Sequence, residues 1–409
     1  MGKDDVSSSP ASASAESHAT RILIVGGGAA GLSTAGALKK LGLDSTVLEQ
    51  DSAIGGTWAR RYDRLHLHTI RQLSGLAHLP MPRRYPRYVP RDQFVRYLQG
   101  YTRRMGLNVI TGCQVKRVVP LDTAIDSHSP DGVSDSGRYS WQVETDRGTW
   151  HSQVVVLATG QYSIPVVPSW QGRESFTGQL IHSSEYRNGR TWIGKRALVI
   201  GVGNSGAEIA TDLANWGASF VAISIRTPPF LTRRETYGLP VQLLSFPMSL
   251  LPPRAADKMA RGVMRLAFGD LSKHGITRPG YSPYQDQRVP LIDVGFAAAV
   301  KQGRVAVRPG VTDLTPTGVI FSDGQDEAFD VVIAATGFRS GLEQLLPATD
   351  LLTENAYPRF PSGEPTSQPG LYFIGFTHSL RGHLFEANRG SRRLAKNVAV
   401  YLARIAPVG

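Results

Sequence analysis

Residues 21–31 read RILIVGGGAAG, and residues 196–206 read RALVIGVGNSG. Each is a short apolar run that ends in a glycine cluster with GxGxxG spacing, Gly26, Gly28 and Gly31 in the first and Gly201, Gly203 and Gly206 in the second. Helical spacing follows in both. Ala30, Ala35, Leu38 and Leu41 recur after the first turn, and Ile209, Leu213 and Trp216 after the second. Strand, tight turn and helix in that order form the opening of a βαβ unit in a doubly wound parallel sheet. A second pair of signatures keeps step with the first: VVVLATG from Val154 carries Thr159 and Gly160, and VVIAATG from Val331 carries Thr336 and Gly337. Gly26 and Gly201 lie 175 residues apart, and Thr159 and Thr336 lie 177 apart, so one architecture occurs twice. The fold class expected is α/β with two dinucleotide-binding, Rossmann-like domains.

The residues after each turn assign the nucleotides. In such a turn the first glycine permits the bend, the second lets backbone approach a pyrophosphate, and the third lets helix pack on strand. Glu49 ends the next strand, 18 residues beyond Gly31, where a carboxylate accepts hydrogen bonds from an unphosphorylated ribose diol. The matching position in the second copy is Arg226, 20 residues beyond Gly206. A cation there favours a 2′-phosphate, so FAD is expected in the first site and NADPH in the second, with Asn204 and Ser205 in the second turn and Arg233 and Arg234 as alternative phosphate partners.

Composition narrows the remaining classes. The 409 residues are 41% hydrophobic and 19% charged, enough for two cores of ~150 residues each. Even the greasy stretch 239–251 is broken by Pro240, Gln242, Ser245, Pro247 and Ser249, so no membrane-spanning helix is expected. A single cysteine, Cys113, excludes a redox dithiol, an iron–sulfur site and a cysteine-rich zinc site, and no metal centre is expected. The net charge of +12 is carried mostly by scattered arginines without a nucleic-acid-binding motif, which leaves a small-molecule substrate and no nucleic acid. Residues 1–20 read as a disordered tail on a cytoplasmic protein, and residues 123–138 as a loop between strands.

Between the two glycine turns lies FTGQLIHSSEY, whose Phe176, Gly178, His182 and Tyr186 match the FxGxxxHxxxY fingerprint of flavin-containing monooxygenases. Tyrosine at 186 differs from the tryptophan of the related Baeyer–Villiger group. The resemblance runs from Arg21 to the C-terminal helix and is closest to the YUCCA-type indole-3-pyruvate monooxygenases, through residues 62–86, 201–218, 290–305 and 370–376, the last containing Gly375. Gly55, Gly56 and Trp58 resemble the family's glycine–tryptophan segment beside the flavin. The resemblance implies an NADPH domain (residues 167–337, with a lid-like insert at about 228–290) set within an FAD domain (21–166 and 338–409). It also implies that NADPH reduces FAD, that O2 forms a flavin C4a-(hydro)peroxide, and that an aryl 2-oxo acid is oxidatively decarboxylated. His182 is expected to position the domains.

LHTIR stands where many of these enzymes carry a TNxxK-like segment, which puts His68 at the asparagine's place as the expected contact to the oxygenated flavin or NADP. Two other functions fit the same residues: N- or S-oxygenation of a soft nucleophile, and a flavoprotein reductase serving a quinone or redox partner. The reductase reading rests on Arg254, Lys258, Arg261 and Arg265, which recur at helical spacing opposite Met259, Val263 and Leu266. A solvated face is the expectation for that helix, ahead of contact with a membrane surface.

Overall fold

The computed structural model describes residues 16–121 and 140–406, apart from 287, 348 and 378. The expected loop at 123–138 and the first fifteen residues of the expected tail lie outside them. The chain opens with strand β1 (Ser17–Val25), helix α1 (Ala29–Lys39), β2 (Thr46–Glu49), the single turn α2 (Gly56–Ala59) and α3 (Arg91–Met105). Strand β1 starts at Ser17, so residues 17–20, assigned to the tail from their polar composition, are strand, pairing in register with 149–152. Strands β3 (Asn108–Thr111), β4 (Val115–Pro120), β5 (Trp141–Thr145) and β6 (Gly148–Leu157) complete the first pass.

A two-residue strand, β7 (Ile164–Pro165), then leads to β8 (Gln179–His182), β9 (Arg196–Ile200), α4 (Asn204–Trp216), β10 (Phe220–Ser224), α5 (Val241–Met248), α6 (Pro253–Phe268), β11 (Ala306–Arg308) and β12 (Val331–Ala334). The chain returns through β13 (Phe338–Arg339) to β14 (Leu371–Phe373) and the long helix α7 (His383–Ile405).

Two sheets result. The first has the order β3-β2-β1-β6-β5-β4, with β14 parallel to the last residues of β6; the second has the order β11-β10-β9-β12-β8 and is parallel throughout. Strands covered on both faces read as continuous apolar runs, and Ile22–Ile24 and Ala197–Val199 are fully buried. In each sheet the strand before the glycine turn sits where the order reverses, β1 between β2 and β6, and β9 between β10 and β12. Ligands of open α/β sheets bind outside the carboxyl ends of the strands at that switch point.

The crossings between the sheets are tied together. Antiparallel β7 and β13 pair Pro165 with Phe338 and Ile164 with Arg339, the Thr336 hydroxyl donates to the Val166 carbonyl, and the Val166 N–H donates to the Gly337 carbonyl at 3.0 Å. At the other end, α7 closes on α1 through the buried Ser33–Ser391 hydroxyl pair at 2.8 Å.

Candidate active site

The two glycine turns are near copies in three dimensions. Gly26 and Gly201 have φ of +108° and +103°, which L side chains rarely adopt, and a Cβ there would stand 2.7 Å from the Ala158 carbonyl oxygen and 2.6 Å from that of Ala335. Gly31 and Gly206 leave no room either, since a Cβ would reach 1.9 Å and 2.0 Å from the carbonyl oxygens of Gly26 and Gly201. The middle glycines differ in kind. Gly28 and Gly203 cap α1 and α4 with ordinary extended backbone, and a Cβ at either would meet no protein atom within 4 Å. Neither strain nor packing requires glycine there. Each faces an open cradle at a helix N-terminus, where backbone N–H groups and the helix dipole favour an anion.

Around the first cradle the side chains fit FAD. The Glu49 carboxylate accepts N–H bonds from Gly27 at 2.7 Å and Asp51 at 2.9 Å, which fixes it at the end of β2 with lone pairs to spare. Burial pushes its carboxyl above the usual range, while the two backbone bonds pull the other way. At the turn after β6, Thr159 Oγ1 and Gln161 Oε1 are buried without a hydrogen-bond partner. Buried polar atoms are seldom left bare, so these two are groups a bound cofactor would satisfy. Gly56 begins α2 against the Asp51 carboxylate, which grips Arg60 in a two-bond pair at 2.8 and 3.0 Å; Trp58 packs edge-on to Phe94, centroids 4.6 Å apart. Gly375 lies against Ala30, at the first turn of α1.

Around the second cradle the three candidate cations separate. Arg233 donates to the Ala267 carbonyl at 2.7 Å, and Arg234 lies over the Tyr88 ring at 4.1 Å. Arg226 is exposed two residues beyond the end of β10 with no ion pair or hydrogen bond among the described residues, leaving its guanidinium available to a 2′-phosphate. Replacing Arg226 by Ser is expected to narrow the NADPH-to-NADH preference in flavin reduction by roughly 10- to 150-fold, the equivalent of a charge-assisted contact of about 1.5–3 kcal/mol. An unchanged ratio in stopped-flow reduction would remove Arg226 from that role.

The fingerprint residues hold the fold. Ser184 N–H donates to His182 Nδ1 at 3.1 Å, so the proton sits on Nε2, which donates to the Gly337 carbonyl at 3.1 Å. His182 thereby joins the end of β8 to the turn after β12, and burial lowers its pKa, keeping the ring neutral. The buried Tyr186 hydroxyl donates to Asp212 Oδ2 at 2.7 Å, and the same oxygen accepts Gly189 N–H at 3.0 Å. A Cβ on Gly178 would meet the Phe176 ring at 2.4 Å.

His68 faces α4. Its Nε2 lies 3.0 Å from Glu208 Oε1, and its Nδ1 is buried without a hydrogen-bond partner. Glu208 is 4% exposed, and the neighbouring Tyr62 hydroxyl is pushed well above its ordinary pKa by burial and then by the Glu208 charge. Together with Arg64, 3.9 Å from Asp212, these side chains fasten the segment after α2 to α4, the helix that follows the second glycine turn. Sequence reading missed Glu208 and Tyr62 because nothing local marks them; one helical turn beyond Ser205, a glutamate reads as solvated surface. Two arginines of this segment have different surroundings. Arg71 donates to the carbonyls of Arg83 and Tyr85. Arg61 is partly buried over the Phe338 ring at 4.5 Å with no carboxylate partner among the described residues, and burial lowers its pKa.

Comparison with known proteins agrees with this geometry. The model of the flavin-binding monooxygenase-like family matches residues 19–353. Indole-3-pyruvate monooxygenase YUCCA1 of Oryza sativa subsp. japonica is 34% identical over 382 residues, covering 90% of this chain and 89% of the relative. A flavin-containing monooxygenase from Stenotrophomonas maltophilia shares the fold with a TM-score of 0.68 at 24% identity, over 94% of this chain and 99% of that one. An oxidized steroid monooxygenase bound to NADP gives a TM-score of 0.74 at 19% identity, over 94% of this chain and 86% of that one. With both cradles, the fingerprint and these matches in place, the chain belongs to the flavin-binding monooxygenase-like family and is a flavin-dependent monooxygenase.

Proposed function

We propose that this enzyme uses FAD, NADPH and O2 to decarboxylate an aryl 2-oxo acid of the indole-3-pyruvate kind. The observation that carries the substrate class is the 34% identity, along nearly the whole chain, to a relative named for that activity. Residues 21–166 and 338–409 hold FAD, and residues 167–337 hold NADPH. Within the latter, residues 228–290 cover the junction: buried Gln242 on α5 accepts the Ile70 N–H at 2.9 Å and donates to the Arg381 carbonyl, bringing the insert onto the His68 loop and the approach to α7.

When bound, the flavin accepts hydride from NADPH and activates oxygen. The chain's own residues orient the nucleotides and exclude water, and Arg61 is a partly buried guanidinium without a carboxylate partner among the described residues, available to a substrate carboxylate. The balanced outcome is a carboxylic acid one carbon shorter, carbon dioxide, water and NADP+ from the 2-oxo acid, O2, NADPH and a proton. The test is to supply indole-3-pyruvate or phenylpyruvate and follow NADPH, carbon dioxide and the shortened acid, which are expected in equal amounts. If 2-oxo acids yield only hydrogen peroxide while a thioether or amine gives stoichiometric oxide, the substrate assignment is wrong.

We assign His68 to the coupling of reduction to oxygenation. Replacing His68 by Ala, or Glu208 by Gln, is expected to spare NADPH-driven flavin reduction within a few-fold and to shift most of the reducing equivalents to hydrogen peroxide. The Glu208→Gln variant keeps the shape of the contact and removes its charge. Wild-type coupling in both would return the pair to a purely architectural role.

A further inference from the structure

The insert buries Phe230, Leu231, Phe268, Leu271 and Ile276, yet its two helices turn much of their apolar surface outward. On α5 the buried residues are Gln242 and Ser245, while Leu243 and Leu244 stand in solvent. On α6 the buried residues are Ala256, Asp257 and Phe268, whereas Met259, Val263 and Leu266 are exposed. Asp257 is fully buried because it anchors the helix, accepting from the backbone N–H groups of Tyr284 at 2.9 Å and Gln285 at 3.2 Å. Of the fifteen large apolar side chains exposed among the described residues, nine fall between 237 and 266, including the three most exposed: Tyr237 at 97%, Leu266 at 89% and Leu250 at 86%. Scattered exposed apolar residues are ordinary on a protein surface; a contiguous sequence segment that turns its leucines outward and its glutamine and aspartate inward marks a face that something apolar covers.

Charge identifies the cover. Between 237 and 269 the only acidic residue is the buried Asp257, while Arg254, Lys258, Arg261 and Arg265 are all exposed and none is in an ion pair among the described residues, Asp270 beyond the helix end interacting with Arg265 only at longer range. At about 100° per residue the four cations form one row along α6, and Met259, Val263 and Leu266 form a second, with only Ala255 and Gly262 on the arc between. A helix lying in a membrane interface has this arrangement: the apolar row sinks below the headgroups, and the long basic side chains on its flank reach back to the phosphates. A second copy is a poorer cover, because a two-fold contact at this face would set a row of four cations near its own image. No helix among the described residues is long and apolar enough to cross a membrane, so attachment here is peripheral.

We propose that residues 237–269 dock this protein on the surface of an anionic phospholipid bilayer. The holoenzyme is mixed with vesicles of phosphatidylcholine alone or with added phosphatidylserine, and the sedimented fraction is measured at low and high salt. Binding is expected only with phosphatidylserine and is expected to weaken with salt. A variant carrying Tyr237→Ser, Leu250→Ser and Leu266→Ser should lose it. A variant with Gln at 254, 258, 261 and 265 should bind at least about a hundredfold less, since one basic residue near an anionic surface is worth roughly fivefold. Flavin content and thermal midpoint without vesicles verify that both variants are folded. Absence of binding to anionic vesicles by the wild-type holoenzyme would overturn the proposal, as would wild-type binding by both variants. Light scattering that shows a dimer dissolved by the serine variant, with no vesicle binding, would assign the face to a second copy and also overturn it.

Discussion

Gly28→Val is expected to give a folded but colourless protein, with flavin content reduced to near zero. The backbone at Gly28, φ −75° and ψ −175°, suits any L residue, and a Cβ there would meet no protein atom within 4 Å. The substitution therefore costs the apoprotein little. Its branched side chain occupies only the cradle at the start of α1, between the backbone N–H groups and whatever anion they hold, and pyrophosphate binding needs that approach. Gly31→Val is the contrasting variant, because its Cβ would stand 1.9 Å from the Gly26 carbonyl and the helix would have to leave the strand. Circular dichroism and visible absorbance read the two outcomes separately: Gly28→Val should match apo wild type in fold and lack flavin, whereas Gly31→Val should not fold. Wild-type flavin content in Gly28→Val would refute the assignment of FAD to this turn.

The contrast between those two glycines also explains what the sequence could convey. Gly26, Gly28 and Gly31 were legible as a nucleotide turn because each does its work within a few residues of its neighbours, and a repeat at 175 residues made coincidence untenable. Apolar runs such as Ile22–Val25 and Ala197–Ile200 announce buried parallel strands for the same local reason. What stayed hidden depends on contacts across the fold. The start of β1 at Ser17 is set by pairing with Thr149, far along the chain, and polar residues at an exposed sheet end carry no pattern. Glu208 becomes significant only when His68, 140 residues earlier, is brought within 3.0 Å of it. On α6, periodicity correctly gave two rows, cationic and apolar, but could not say which side the protein would bury; the structure buries neither row.

The two turns share one geometry, yet their surroundings differ. Buried Glu49 ends the strand after the first turn and exposed Arg226 follows the corresponding strand after the second. Thr159 leaves its hydroxyl bare beside the first cradle, while its counterpart Thr336 spends its hydroxyl on Val166 in the crossing between the sheets. Under the proposed assignment of FAD to the first turn and NADPH to the second, the first site would be completed by its ligand, whereas the second is already braced by the protein, as suits a cofactor that stays and a nucleotide that arrives as a substrate.

That difference makes Gly203→Val the sharper experiment. Its backbone, φ −74° and ψ −179°, and the absence of any atom within 4 Å of a Cβ repeat the circumstances of Gly28, so the variant should fold and remain yellow with one FAD per chain. What it should lose is hydride delivery. A side chain at the N-terminus of α4 displaces the pyrophosphate from backbone N–H groups, and each charge-assisted bond lost is worth about 1.5–3 kcal/mol, so losing two corresponds to a fall of at least about a hundredfold in the second-order rate of flavin reduction by NADPH. Dithionite, which needs no nucleotide site, should still bleach the flavin at the wild-type rate. Reduction by NADPH at the wild-type rate would show that the second turn does not bind the reductant. If both reductants slowed equally, the substitution would have disturbed the flavin itself, and the division of labour between the turns would be refuted.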